Sequence, residues 1–320
     1  MRIILVGAVD STRIALETLV RGGTPPVALV TLPRSLSGRH SDFVDFHPIT
    51  AALGVPLVEV RNVNDASAIA KMRALEPDYC MVIGWSQICG EEFRGLPRLG
   101  CVGYHPAPLP QDRGRAVIPW TILQNRAETG STLFWLDEGV DSGDILIQER
   151  YPVSPTETAA TLYQTHLDAL ERLMEGMMTQ LRAGKAPRVV QDHHLANYCA
   201  KRTADDGWID WTQPATDVWR LIRAVGKPYP GAFTLRKEQR LTVWEADYVG
   251  QAPYVGLPGQ VQAIDASGVL VQCGDRNHVR LVQVAYEGND VAANELLKNH
   301  EKLGLDWAKW AVTIARRLSE

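Results

Sequence analysis

Short apolar runs rich in β-branched residues alternate with helix-forming segments through the first third of the chain. The runs begin at Ile3, Val27, Pro56, Tyr79 and Gly100. Strands that are apolar throughout are buried on both faces, which is typical of a parallel sheet covered by helices. The pattern therefore predicts an α/β domain with a Rossmann-like, mostly parallel sheet.

The pattern changes after a long amphipathic helix predicted over 157–181. A polar stretch follows, and then five short strands separated by turns, which predict a smaller β-barrel of the OB type. We expect a catalytic domain over 1–183, a linker over 184–206 and an OB-like domain with terminal helices over 207–320. Leucines and tryptophans in 286–320 favour helices that pack on the barrel or on a second subunit, so a homodimer is one expected arrangement.

Composition excludes several classes of protein. A net charge of −4 argues against nucleic acid as the main partner, because such binding usually requires a basic surface. The five cysteines show no zinc-site spacing, so we expect reduced thiols in a cytoplasmic protein and no bound metal. No apolar run is long enough to predict a membrane span. The first turn, 7–12, lacks the glycine fingerprint of a nicotinamide dinucleotide site.

The most unusual residues follow the fifth predicted strand. His105 lies just beyond it, where open α/β sheets place their sites, and three nearby prolines stiffen the loop. Downstream, the 136–145 loop carries four acids, Asp141 among them. Taken alone, His105 would more simply be a structural histidine, and loop acids are usually solvated. Together, a histidine and an aspartate are the minimum set for moving protons during acyl transfer.

At this point the chain resembles the formyltransferases that use 10-formyltetrahydrofolate. Two motifs carry the resemblance, His105, Leu109, Pro110, Arg113 and Gly114, then Asp141, Gly143 and Ile145. Two segments similar to the family's C-terminal domain, Trp208–Trp211 and Pro228–Phe233, extend the resemblance over roughly residues 1–285. It implies 10-formyltetrahydrofolate as co-substrate, transfer of its formyl group to a primary amine, and His105 and Asp141 as catalytic residues.

One position departs from the family's pattern. Two residues before His105 the family has a catalytic asparagine, whose amide donates to the tetrahedral oxyanion, and this chain has Gly103. Losing one such donor costs about 10²–10³ in rate, unless a water in the vacated space or another donor replaces it. The hydrolase domain of 10-formyltetrahydrofolate dehydrogenase also lacks this asparagine and is similar around Trp85 and Phe134. Folate hydrolysis is therefore the main alternative, and folate binding with little catalysis is a third.

The resemblance also implies where the folate lies. In the family, the loop after the fourth strand and the acidic loop hold the pterin, largely through backbone groups. We therefore expect cofactor-binding residues in both loops, namely Trp85, Ser86, Ile88, Asp137, Glu138 and Val140. A tryptophan at a strand end is as commonly a core residue, and that alternative stays open.

The acceptor is expected to be a small-molecule amine, with a nucleotide-linked amino sugar as the first candidate. Arg113 and Arg115 flank Gly114 and are expected to bind its phosphate or carboxylate; a pair of surface cations is the alternative. The 33–41 stretch is a second candidate acceptor loop. It lacks the longer basic insertion of methionyl-tRNA formyltransferases, so tRNA is not expected as a partner.

Overall fold

The computed structural model describes residues 1–39, 42–305 and 307–319. They form two compact units, the first made of Met1–Ile118, Arg126–Pro155 and Thr161–Lys201, the second of Pro119–Asn125, Thr156–Ala160 and Arg202–Glu320. Most of the segment predicted as a linker, up to Lys201, therefore belongs to the first unit.

The first unit is built on a seven-stranded sheet. In chain order, the strands of this unit are β1 (Ile3–Val6), β2 (Ala28–Thr31), β3 (Leu57–Glu59), β4 (Tyr79–Val82), β5 (Gly100–His105), β6 (Arg113–Gly114), β7 (Glu128–Trp135), β8 (Ile145–Pro152) and β9 (Tyr198–Cys199). All of them except β6 and β9 belong to the seven-stranded sheet. The sheet order is β3-β2-β1-β4-β5-β7-β8, and β6 pairs with β9. The strands β1 to β5 are parallel, whereas β7 and β8 are antiparallel to their neighbours. The predicted Rossmann-like, parallel-rich sheet is confirmed.

Helices cover both faces of this sheet. They are α1 (Asp10–Arg21), α2 (His47–Leu53), α3 (Ala66–Arg73), α4 (Glu91–Arg94) and α6 (Ala159–Arg182), and the chain also forms 3₁₀ turns at Arg34–Arg39 and His193–Leu195. The helix α5 (Val117–Leu123) lies mostly in the second unit. Leu5 packs in a core that includes Leu173 of α6, whereas its neighbour Ile4 packs in a second core with Ile69 of α3. Alternate residues of one strand thus enter opposite cores, which explains why β1 is apolar throughout.

The second unit contains an antiparallel sheet. Its strands are β10 (Ala232–Arg236), β11 (Gln239–Gly250), β12 (Val261–Asp265), β13 (Gly268–Gln272), β14 (His278–Tyr286) and β15 (Asn289–Ala292), and its further elements are the 3₁₀ turn Ala204–Gly207 and the helices α7 (Ala215–Val225), α8 (Ala293–Leu296) and α9 (Trp307–Ser319). The order is β10-β11-β14-β13-β12, with β15 on β14. Among the described strand pairings none joins β10 to β12, so the closed OB-type barrel is not confirmed.

The helices were also compared with the length and apolarity that a membrane span requires. In the described part of the chain, no helix reaches both.

Candidate active site

A cavity of about 480 Å³ opens at the carboxyl ends of β4 and β5. Its wall is formed by the loop after β4, the end of β5, Gly114 and Arg115 after it, and the loop that follows β7. Ligands of open α/β sheets bind at this edge of the sheet. Both sequence motifs therefore reach one cavity, although His105 and Asp141 lie far apart in the chain.

His105 is the last residue of β5 and is only 5% exposed. Its Nε2 lies 2.8 Å from the carbonyl oxygen of Asp112. A carbonyl oxygen can only accept a hydrogen bond, so Nε2 carries the hydrogen and donates it. This tautomer leaves a free lone pair on Nδ1, which makes Nδ1 the basic nitrogen.

Asp141 faces that basic nitrogen. Its Oδ2 lies 3.6 Å from His105 Nδ1 and also accepts a hydrogen bond from the Gly114 N–H at 2.8 Å. The backbone of Asp141 has φ of +51°, a left-handed conformation that is uncommon outside glycine and that recurs at functional sites. The carboxylate is thus placed to stabilise an imidazolium when Nδ1 takes a proton.

Gly103 lies at the cavity wall but supplies no side-chain donor. A Cβ built on it would lie 2.6 Å from Leu136 Cδ2 and 3.0 Å from two ring atoms of Phe134. Two apolar side chains therefore occupy the space beside this glycine. Neither neighbour offers a hydrogen bond, and the replacement of the amide by a water or another donor stays a prediction.

The two arginines have different surroundings. Arg113 is 2% exposed and does not line the cavity, since its Nη2 donates to Gln191 Oε1 at 2.6 Å and its Nη1 to the Tyr198 hydroxyl at 3.0 Å. The expectation that Arg113 binds an acceptor anion is therefore corrected, as is the alternative of a surface cation. Arg115 is exposed, lines the cavity, and donates to the Ser86 carbonyl at 3.0 Å.

Five of the six predicted folate contacts line the cavity: Trp85, Ser86, Ile88, Asp137 and Val140. The sixth, Glu138, is not among the described residues that line it. Ile88 is 71% exposed and Val140 46% exposed, so each loop presents an apolar side chain that a flat ring could cover. Within the described residues, the buried Nε1 of Trp85 has no hydrogen-bond partner, which leaves one donor for a ligand. These features fit a pterin.

Sequence reasoning missed Gln191 and Asn197, which hydrogen-bond the Asp141 loop and the Asp112 backbone and carboxylate, respectively. Both lie in the segment predicted as a linker, and polar residues there gave no signal of burial. In the second candidate acceptor loop, residues 33–38 do not line this cavity. The side chain of Arg39, and all of His40 and Ser41, lie outside the described part of the chain.

The structure thus places a buried histidine beside a half-buried aspartate at the strand ends of a parallel-rich α/β unit, an arrangement suited to moving protons. The chain belongs to the formyl transferase family: the formyl transferase model matches residues 3–177 and the formyl transferase C-terminal domain model matches residues 201–301. This confirms the resemblance and the predicted co-substrate, 10-formyltetrahydrofolate.

Curated relatives extend the match over most of the chain. The methionyl-tRNA formyltransferase of Methylacidiphilum infernorum is 32% identical over 295 residues, covering 90% of this chain and 91% of the relative. That of Marinobacter nauticus is 33% identical over 276 residues, covering 86% and 88%. These relatives contradict the expectation that tRNA is not a partner. The expectation relied on the net charge of the whole chain, which does not describe a local surface.

Solved structures share the fold. The N-formyltransferase from Helicobacter canadensis, in complex with folinic acid and dTDP-3-aminofucose, superposes with a TM-score of 0.67 at 16% identity and covers 88% of this chain and 98% of its own. The Clostridium thermocellum methionyl-tRNA formyltransferase gives a TM-score of 0.56 at 18% identity, covering 77% and 93%. At these identities the likeness extends to the fold alone.

Proposed function

We propose that this chain transfers the formyl group of 10-formyltetrahydrofolate to a primary amine, with His105 and Asp141 as the catalytic residues. The observation that carries the proposal is the pairing of His105 Nδ1 with Asp141 Oδ2 at 3.6 Å in the wall of the cavity. Transfer to an amine requires a proton carrier, and a fixed imidazole with a carboxylate beside its basic nitrogen is one.

Bound 10-formyltetrahydrofolate supplies the formyl carbon, and Trp85, Ile88 and Val140 would contact its pterin. As the amine forms its new C–N bond, His105 Nδ1 takes the amine proton and Asp141 stabilises the resulting imidazolium. When the tetrahedral intermediate collapses, the bond between the formyl carbon and N10 breaks, and the Nδ1–H would deliver its proton to N10. The proton that leaves the amine is thus the one that completes tetrahydrofolate.

The apolar contacts around Gly103 favour an amine over water. Leu136 and Phe134 lie against the position that a Cβ at residue 103 would take, so this part of the cavity wall offers a water no side-chain hydrogen bond. Ordered waters require polar partners. We therefore favour transfer to an amine over hydrolysis as the reaction of this chain.

The acceptor carries a phosphate as well as an amine in our proposal. Arg115 is exposed at the cavity wall, and its guanidinium suits a phosphate. Two acceptors meet this requirement: methionyl-tRNA, which the curated relatives are named for, and a nucleotide-linked amino sugar such as dTDP-3-aminofucose.

The test is an incubation of the full chain with 10-formyltetrahydrofolate, with and without each acceptor. Amine-dependent release of tetrahydrofolate with a formylated product supports the proposal. Release that does not depend on the amine would identify a hydrolase, and binding without turnover a folate-binding protein. His105→Ala and Asp141→Asn are each expected to lower turnover by about 10²-fold or more with native circular dichroism.

A second histidine–aspartate pair offers a matched control. His47 and Asp45 are 2.9 Å apart and exposed, and neither residue lines the cavity. His47→Ala and Asp45→Asn are expected to leave turnover unchanged. Near-normal rates in the His105 or Asp141 variant would contradict the assigned roles.

A further inference from the structure

We propose that Gln191 is a positioning residue that holds the Asp141 loop in the conformation that directs its carboxylate to His105. The inference rests on the proposed function, because it concerns the same catalytic pair. Gln191 touches neither the cavity nor the imidazole, and it would act through Asp141.

Gln191 bonds to both ends of a three-residue segment of the loop. Its side chain is 3% exposed, and its Nε2 donates to the Asp141 carbonyl at 3.0 Å and to the Gly143 carbonyl at 2.6 Å. The first of these bonds fixes the carbonyl of Asp141, the residue with the positive φ, and the second fixes the chain two residues later. A strained conformation persists only where its surroundings fix it, and Gln191 supplies two of the fixing contacts.

Arg113 fixes the orientation of the Gln191 amide. Its Nε and Nη2 both donate to Gln191 Oε1, at 3.2 and 2.6 Å. An arginine side chain has only donors, so the amide oxygen must face Arg113 and the NH₂ group must face the loop. Arg113 directly follows Asp112, whose carbonyl accepts from His105 Nε2. A bonded path therefore joins the two sides of the imidazole.

The choice of an amide at position 191 is itself informative. A buried guanidinium is best neutralised by a carboxylate, and a glutamate there would pair with Arg113 more strongly. Glutamate, however, has no N–H to donate to the two loop carbonyls. The chain keeps the weaker partner for Arg113, and the contact that this choice preserves is the one to the Asp141 loop.

Gln191→Glu separates the two roles, because it retains the acceptor for Arg113 and removes the donors to the loop. We expect kcat to fall by about 10²-fold, the cost of a small misplacement of a catalytic group. The melting temperature should fall no further than in the matched control below, because the new ion pair with Arg113 offsets part of the cost of the two lost donors. KM for either substrate should change much less. Wild-type kcat, or a loss of activity matched by a loss of folded protein, would overturn the proposal.

Gln272→Glu is the matched control. Gln272 is 4% exposed and bonds both the N–H and the carbonyl of Gly256, so its replacement tests the general effect of a buried carboxylate. We expect it to lower stability and to leave kcat unchanged. An equal fall in kcat in both variants would also count against the proposal.

A double-mutant cycle tests the route through Asp141. In an Asp141→Asn background, Gln191→Glu should lower kcat little further, because groups that act as a unit are non-additive. Effects that multiply would show that Gln191 acts elsewhere.

Hydrogen exchange separates failure of this inference from failure of the proposed function. The Gly114 N–H bonds Asp141 Oδ2, so its exchange reports the loop position without any turnover. We expect faster exchange at Gly114 in Gln191→Glu, even if the wild type shows no amine-dependent activity. Unchanged exchange would overturn the positioning role, whatever reaction the protein catalyses.

Discussion

Replacing Gly103 with asparagine inserts a side chain into a filled space. The new Cβ would lie 2.6 Å from Leu136 Cδ2, closer than real Cβ contacts, and 3.0 Å from the Phe134 ring, tighter than most of them. Gly103 has no positive φ, so the backbone accepts any side chain and the cost comes from packing. Overpacking of this kind costs about 1–3 kcal/mol.

That cost predicts a measurable change in melting. At about 2–4 °C per kcal/mol, Gly103→Asn and the matched control Gly103→Ala should melt about 2–12 °C below wild type. Adding Leu136→Ala removes the nearest contact and should restore part of the loss. The asparagine double variant then presents an amide at the cavity wall. Because one oxyanion donor contributes about 10²–10³ in rate, it should exceed the alanine double variant by at least about tenfold.

Thermal melts and tetrahydrofolate release, with and without an amine, should be measured on the same preparations. Equal rates in the two double variants would show that the amide does not reach the reacting carbonyl. Wild-type melting and wild-type rates in Gly103→Asn would refute both the packing argument and the placement of residue 103 at the site.

Three further outcomes follow from buried groups. Burial, and to a smaller extent the charge of His105, lower the pKa of His166 to about 3. Because this lies below the unfolded value, the free energy of unfolding should fall as pH drops from about 6.5 towards 3. Urea melts across this range should show the fall, and His166→Asn should make it smaller. Burial raises the pKa of Cys89 to about 12, so folded protein should react slowly with a thiol reagent at about pH 8, and rapid labelling would contradict the burial. Arg236, which is 7% exposed, pairs with Glu301 at 2.9 Å, so Arg236→Met should cost about 3 kcal/mol in a denaturant titration, and an unchanged midpoint would contradict this.

Strands whose signal is local were predictable from the sequence. The apolar run Ile3–Val6 is β1 with the same bounds, because every one of its side chains enters a core. The first residues of β7, 128–131, give no such local signal. Ser131 is buried there by a hydrogen bond to His166, which lies 35 residues further along the chain.

The same distinction holds at the site. The resemblance of two short motifs to a known family placed His105 and Asp141 together, as the structure does. The surroundings of Arg113 escaped prediction because its partners Gln191 and Tyr198 lie 78 and 85 residues away. A hydrogen bond over such a separation leaves no periodicity in the sequence, so a polar segment that braces a loop reads as a linker.

The parallel pairing of β6 with β9 also limits how this chain can recombine with its relatives. A polypeptide that has left the ribosome only as far as residue 183 contains both motifs and all of α6, yet it lacks the backbone partner of Arg113 and Gly114. A chimera joined at the end of α6 would combine the His105 and Asp141 loops of one parent with the β9 strand of another. The junction that keeps them together falls after Lys201, where the first unit ends. The second unit also includes Pro119–Asn125 and Thr156–Ala160, so these two segments should come from the same parent as Arg202–Glu320.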